Sequence, residues 1–226
     1  EALGGIKAET LVDWMVGYSR LMAEREGVPR QTKPWPSPLP VYLPANLPFD
    51  ARYINSEHIV DGNIILCPQL GAWLTGKGGW TSVNWRERPL VVDVGIVDNP
   101  YAAEQRLLTI DIPRGPLVLF GASGWGKTTF LRTLITTLAA THSPAELQIY
   151  ALDFGKGGLN VLQALPHLGG AIDSTEEGRV ERLMRMLSNL VETRKSRVMK
   201  YGSLAAYNAD NPDAILPAVL VVIDNF

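Results

Sequence analysis

Residues 116–128 read Pro116-Leu117-Val118-Leu119-Phe120-Gly121-Ala122-Ser123-Gly124-Trp125-Gly126-Lys127-Thr128, a short apolar run, a glycine-rich turn and a Lys-Thr pair opening a helix-forming stretch. Gly121 to Thr128 match the pattern G-x-x-x-x-G-K-[ST] at every fixed position. Each residue type has a physical task. Glycines let backbone N–H groups turn inward around a phosphate, at a helix N-terminus that already favours anions. Lys127 supplies a point charge for β- and γ-phosphates, and the Thr128 hydroxyl is an oxygen ligand for Mg²⁺. Thr129 adds an α-phosphate contact. Trp125 is bulky for such a loop, and its position allows the ring to point outward. The expected nucleotide-binding set is Gly121, Ala122, Ser123, Gly124, Trp125, Gly126, Lys127, Thr128 and Thr129, with ATP and Mg²⁺ as cofactors.

Working outward from this loop, the C-terminal half alternates strands and helices. Leu117–Phe120 reads as a buried strand that should pair in parallel with the strand of Val219. Residues 128–141 read as a helix with Leu131, Leu134, Ile135 and Leu138 on one face, stopped by Ser143-Pro144. Residues 147–152 read as a second strand and 176–201 as a long helix. Ala218-Val219-Leu220-Val221-Val222-Ile223-Asp224 reads as a third strand that ends in an acid. Short apolar strands between amphipathic helices imply a mainly parallel sheet covered by helices on both faces, an α/β P-loop NTPase fold. An acid at the end of such a strand sits near the phosphate loop, so Asp224 is assigned to Mg²⁺, directly or through water. Asp224 and Lys127 are the expected catalytic pair. The next residue is Asn225, where a carboxylate would be needed to draw a proton from water; an amide cannot accept it. Nucleotide binding is expected, and efficient hydrolysis is not.

Three further features leave two readings each. Asp153 either faces the same crevice or caps the loop that follows it, Phe154-Gly155-Lys156-Gly157-Gly158. His167 reads as a structural hydrogen-bonder rather than a catalyst. The arginines and lysines of residues 176–201 form either a phosphate-contacting face or a solvated one.

The N-terminal half is less regular. Residues 9–25 carry Leu11, Trp14, Met15, Tyr18, Leu21 and Met22 at helical spacing, a packing helix ended by Gly27 and Pro29. Prolines 34, 36, 38, 40, 44 and 48 make residues 33–48 a semi-rigid linker, laid as a strap on a domain surface or offered as an SH3-type ligand. Residues 50–88 hold Trp73, Trp80 and Trp85 and a turn at Gly76-Lys77-Gly78-Gly79; the tryptophans read as packing, with base stacking as the alternative. Two strands, 90–97 and 107–112, are separated by Asp98-Asn99-Pro100. With 226 residues, 46% hydrophobic and 19% charged, and a net charge of -2, the chain is a globular type without a general basic footprint for nucleic acid. Its single cysteine, Cys67, excludes an internal disulfide framework, and the cytosol is the default compartment. Starting at Glu1 and stopping after a core strand, it reads as a soluble, truncated piece of a larger protein.

The stretches Gly95-Ile96-Val97-Asp98-Asn99-Pro100, Gly121–Thr128, Thr141–Gly155 and Leu165-Pro166-His167-Leu168-Gly169-Gly170 resemble the FtsK/SpoIIIE ATPase family, and within it the coupling ATPases of type VII secretion (the EccC/EssC group). The resemblance implies a RecA-like module, one of several strung on a membrane-anchored chain at the cytoplasmic face of the plasma membrane. Its expected parts are 1–32, the helical tail of a preceding module; 33–48, the proline-rich linker; 49–113, an irregular β-rich N-terminal part; and 114–226, the nucleotide-binding core. The resemblance further implies hexameric assembly, membrane components of the secretion system and small helical secreted substrates as partners, and a regulatory rather than strongly hydrolytic module. The alternative is a module of a DNA-translocating motor.

Overall fold

Parallel pairing suits strands that are buried on both faces, a condition the run at residues 147–153 meets best. The computed structural model describes residues 10–29, 35, 38–45, 49–50, 63–81, 88–155, 157–173 and 175–226. Among them β5 (Leu147–Asp153), β6 (Leu168–Asp173) and β7 (Ala218–Asp224) form a parallel sheet in the order β6-β5-β7. The register brings Asp153 level with Asp224 on one side and with Asp173 on the other, so all three strands end in an acid at the same edge.

Side chains alternate across β5, and each face has its own helix. Leu147, Ile149 and Ala151 are fully buried and belong to one cluster with Leu134, Ile135 and Leu138 of α3 (Lys127–Thr141). Tyr150 and Leu152 face the other way and pack with Val180, Leu183 and Leu187 of α4 (Glu177–Met199). The sheet is therefore helix-covered on both faces, as the alternating pattern predicts. Several charges of α4 are engaged locally: Arg179 pairs with Glu176 at 2.5 Å and Arg185 with Glu181 at 3.0 Å, while Arg194 donates to the Pro217 carbonyl.

The expected strand 117–120 does not form, and its parallel pairing with Val219 is absent. Leu117, Val118 and Phe120 are 46%, 52% and 91% exposed. The physical reason is the missing ladder. β7 bonds to β5 along one edge, and its other edge shares with the 117–120 run an open apolar groove of about 550 Å³. Apolar composition alone does not make a strand when no backbone lies at bonding distance.

A second layer comes from β3 (Val91–Asn99) and β4 (Glu104–Asp111), an antiparallel hairpin bulged between Asp93 and Gly95. Its turn falls at residues 100–103, later than the Asp98-Asn99-Pro100 expected, because both strands extend their pairing as far as Asn99 and Glu104. Val92 joins the α3 core, and Ile96 and Leu107 pack with Leu43, Ala45 and Leu66. From the proline-rich segment, Leu43 and Ala45 reach this cluster, and the Cys67 N–H donates to the Ala45 carbonyl at 2.7 Å, while Val41 and Tyr42 are exposed. A two-residue antiparallel pair, β1 (Phe49–Asp50) with β2 (Asn63–Ile64), precedes the short helix α2 (Pro68–Leu74). Pro34, Pro36, Pro48 and Trp85 lie outside the described residues.

Trp80 and Trp73 do pack. Their rings meet edge to face at 5.2 Å, Trp80 meets His167 at 5.4 Å, and the Trp80 indole N–H donates to the Ala139 carbonyl at 2.8 Å. His167 and His142 form the polar centre of this node. The Leu90 N–H donates to His142 Nε2, which leaves the proton on Nδ1, and His167 Nε2–H donates to the His142 carbonyl at 2.6 Å. Burial lowers the pKa of both imidazoles.

The N-terminal helix α1 (Leu11–Arg25) is nucleated by a capping box, in which the Thr10 hydroxyl accepts from the Asp13 N–H and the Asp13 carboxylate from the Thr10 N–H. Its apolar stripe corrects the expectation of a packing helix. None of its residues is buried; Leu11 is 73% exposed, and Trp14 stacks on Tyr18 of the same helix at 5.3 Å. Periodicity establishes the stripe, but no described element covers it.

Candidate nucleotide-binding site

At the head of α3 the backbone takes the shape the sequence demands. Gly124 and Gly126 both have φ of +82, a left-handed conformation that a side chain resists. With Gly126 at the cap position, no side chain bonds the first turn of α3, so its N–H groups keep their capacity for an anion. Lys127 curls back over the loop, Nζ donating to the Gly121 carbonyl at 2.9 Å and the Ala122 carbonyl at 3.0 Å. Those bonds close the side chain of Lys127 over the loop backbone. Ala122, Ser123 and Thr129 are exposed beside it, and Trp125 points outward, 80% exposed.

The strand-end acid arrives from the other side. Thr128 Oγ1 donates to Asp224 Oδ2 at 2.6 Å, although 96 residues separate the two in sequence. Asp224 is 2% exposed, held there by the β5–β7 ladder that ends on it. A hydroxyl and a carboxylate form an all-oxygen donor pair, the kind Mg²⁺ selects when substrate phosphates and waters complete its octahedron. The donor set and the open helix terminus together fit Mg²⁺ with a nucleoside triphosphate.

Asp153 resolves to the loop-capping reading. It is 1% exposed, and its two carboxylate oxygens accept from the Gly155 N–H at 2.9 Å and the Leu159 N–H at 2.8 Å. Asn225 follows Asp224 with φ of +57, its side chain pressed against Gly155. His167 lies at the opposite end of the strands, ahead of β6, roughly 16 Å along the sheet from the acids at a strand rise of ~3.3 Å per residue. It takes no part in the site.

Sequence reasoning named this loop as one that Asp153 caps, but missed its approach to Thr128. Gly158 touches the Thr128 methyl, and Arg132 Nε on α3 donates to the Gly158 carbonyl at 2.6 Å. The available signal was the cluster Gly155, Gly157 and Gly158 directly after a strand-end acid.

A parallel sheet whose terminal acid bonds the threonine of a complete phosphate loop defines a P-loop NTPase. The chain belongs to the FtsK/SpoIIIE family, whose profile matches residues 78–225 and so takes in the β3–β4 hairpin. It is 35% identical over 171 residues to the ESX-1 secretion system protein EccCb1 of Mycolicibacterium smegmatis, covering 68% of this chain and 29% of that protein. The ESX secretion system protein EccC of Thermomonospora curvata is 38% identical over 133 residues, 57% of this chain and 10% of that one. Among solved structures, the cytoplasmic domain of the Thermomonospora curvata type VII secretion ATPase EccC superposes with a TM-score of 0.56 at 35% identity, over 62% of this chain and 17% of that one. EssC (ATPases 2 and 3) of Geobacillus thermodenitrificans gives 0.55 at 29% identity, over 59% and 26%. The chain thus spans less than a third of the length of these relatives.

Proposed function

We propose that this chain is a Mg²⁺-ATP-binding module of an FtsK/SpoIIIE-type motor that drives type VII protein secretion. The observation that carries the binding half is the Thr128–Asp224 hydrogen bond at the open head of α3, behind a complete phosphate loop. The secretion half rests on relatives and structural neighbours named for ESX and type VII systems. In this reading Lys127 neutralises the β/γ-phosphates and Thr128 with Asp224 holds the metal, while residues 121–129 wrap the phosphate chain. Asn225 orients water without taking its proton, so hydrolysis is weak or regulatory.

The module is one of several on a longer chain, with 1–32 as the tail of a preceding module, 33–48 as linker, and 49–113 leading into the 114–226 core. Other modules of the same chain, a hexameric assembly, membrane components and small helical secreted substrates are the partners this reading requires, at the cytoplasmic face of the membrane. No described helix is long and apolar enough to cross a membrane, so anchoring falls to other parts of the protein in this reading. Native mass spectrometry after incubation with Mg²⁺-ATP is the test. A mass shift of one nucleotide per chain is expected, and no shift at millimolar nucleotide overturns the proposal.

A further inference from the structure

The glycine loop after β5 touches two residues of the candidate site, at Thr128 and at Asn225. A Cβ on Gly158 would stand 2.6 Å from Thr128 Cγ2 and 3.7 Å from Arg132 Nη2. A Cβ on Gly155 would run into the Asn225 amide nitrogen, with Asp153 Oδ1 at 3.2 Å. Neither glycine has the left-handed φ found at Gly157, so their backbone conformation is open to any residue. What they supply is close approach.

The loop is also held on both sides. The buried Asp153 carboxylate fixes the N–H groups of Gly155 and Leu159, and Leu159 is fully buried. From α3, one turn beyond Thr128, Arg132 Nε grips the Gly158 carbonyl at 2.6 Å. The Thr128 methyl therefore rests on a fixed surface. Threonine in a helix divides between two χ1 rotamers, and a wall against the methyl selects one of them. In the selected rotamer the hydroxyl meets Asp224 Oδ2.

We propose that Gly158, held by Arg132 and Asp153, is a positioning element for metal binding: it sets the Thr128 rotamer and so aims the hydroxyl that ligates Mg²⁺. This rests on the Mg²⁺-ATP reading above. Gly158→Ala drives a methyl into Thr128 Cγ2, which yields by rotating about χ1 and carries the hydroxyl off the metal. Loss of a group that orients a ligand costs about 10–100-fold in metal affinity.

The measurement is the Mg²⁺ gain, the ratio of ATP dissociation constants in EDTA and in excess Mg²⁺, by calorimetry on the whole chain. Gly158→Ala is expected to shrink the gain by about tenfold or more while leaving the EDTA affinity unchanged. In the double variant Gly158→Ala/Thr128→Ser the methyl that clashes is gone, and the gain returns to that of Thr128→Ser alone. Arg132→Met, an exposed position whose exchange removes the tether without adding bulk at the loop, lowers the gain several-fold, and serves if Gly158→Ala fails to fold. A full gain in Gly158→Ala, a double variant as impaired as Gly158→Ala, or an unchanged gain in Arg132→Met overturns the clamp alone. No gain in the unmodified chain overturns the Mg²⁺-ATP reading, and the clamp with it.

Discussion

Replacing Asn225 by glutamate restores the carboxylate that a hydrolytic site of this class would use, yet the surroundings argue against a recovery. Asn225 sits at φ of +57, a region that asparagine tolerates and that costs most other residues about 1–2 kcal/mol. Its amide already lies against Gly155, and Asp153 pins that loop. A side chain one methylene longer must either push on the loop, at roughly 1–3 kcal/mol for overpacking, or swing into solvent away from the phosphates. A general base is worth about 10²–10⁴-fold in rate when it reaches its water. In the function proposed above, a further 10³-fold or more comes from a cationic finger lent by a neighbouring module. Asn225→Glu should therefore leave single-turnover hydrolysis within about tenfold of the unmodified chain, with unfolding free energy lowered by about 1–2 kcal/mol. Phosphate release after rapid mixing with Mg²⁺-ATP reads the first, and urea titration the second. A rise of about a hundredfold or more in Asn225→Glu, or turnover near one per second in the unmodified isolated chain, would refute the reasoning.

The remaining predictions concern buried polar groups. His142 and His167 are held neutral by burial, and the unfolded chain binds protons that the folded one refuses. Stability is therefore full above the unfolded histidine pKa near 6.5 and falls as the pH drops below it, by at most about 1.4 kcal/mol per pH unit for each ring. Urea titrations between pH 7.5 and 5 should show this slope, and His167→Gln, which keeps a donor for the His142 carbonyl, should reduce it by up to one proton; a flat profile contradicts the assignment. Asp153→Ala leaves two backbone N–H groups without their acceptor and should cost about 2–4 kcal/mol, with amide exchange accelerated at Gly155 and Leu159; a loss below 0.5 kcal/mol by the same titration would show that the cap is not needed.

What could be read in advance divides by physical cause. The phosphate loop, α3, α4, β5 and β7 carry their own signals: fixed glycine spacing, a helical apolar stripe or an unbroken buried run. β6 gave none, because Gly169 and Gly170 weaken any strand reading. The structure shows why a glycine belongs there: a Cβ on Gly169 would lie 2.5 Å from the Tyr150 ring. The seven-residue helices α2 and α5 (Leu204–Asp210) are too short for a stripe to stand out, even with Ser203 capping the second. At residues 117–120 composition suggested a strand, but pairing depends on a neighbour that the run's own residues do not specify. Within the site, the Thr128–Asp224 approach followed from motif and strand end together. The Gly158–Thr128 contact could not follow, since a sequence displays a glycine without showing what approaches it.

Calorimetric titration of the unmodified chain and of Lys127→Ala with Mg²⁺-ATP tests the central claim most directly. Lys127 holds the loop through the Gly121 and Ala122 carbonyls and, in the proposed function, gives its charge to the phosphates, so its removal should weaken binding by about 2–4 kcal/mol, roughly 30- to 1,000-fold in dissociation constant. Saturable one-to-one binding that collapses in Lys127→Ala is the predicted result; equal affinity in the two chains, or no heat of binding in either, would contradict the account.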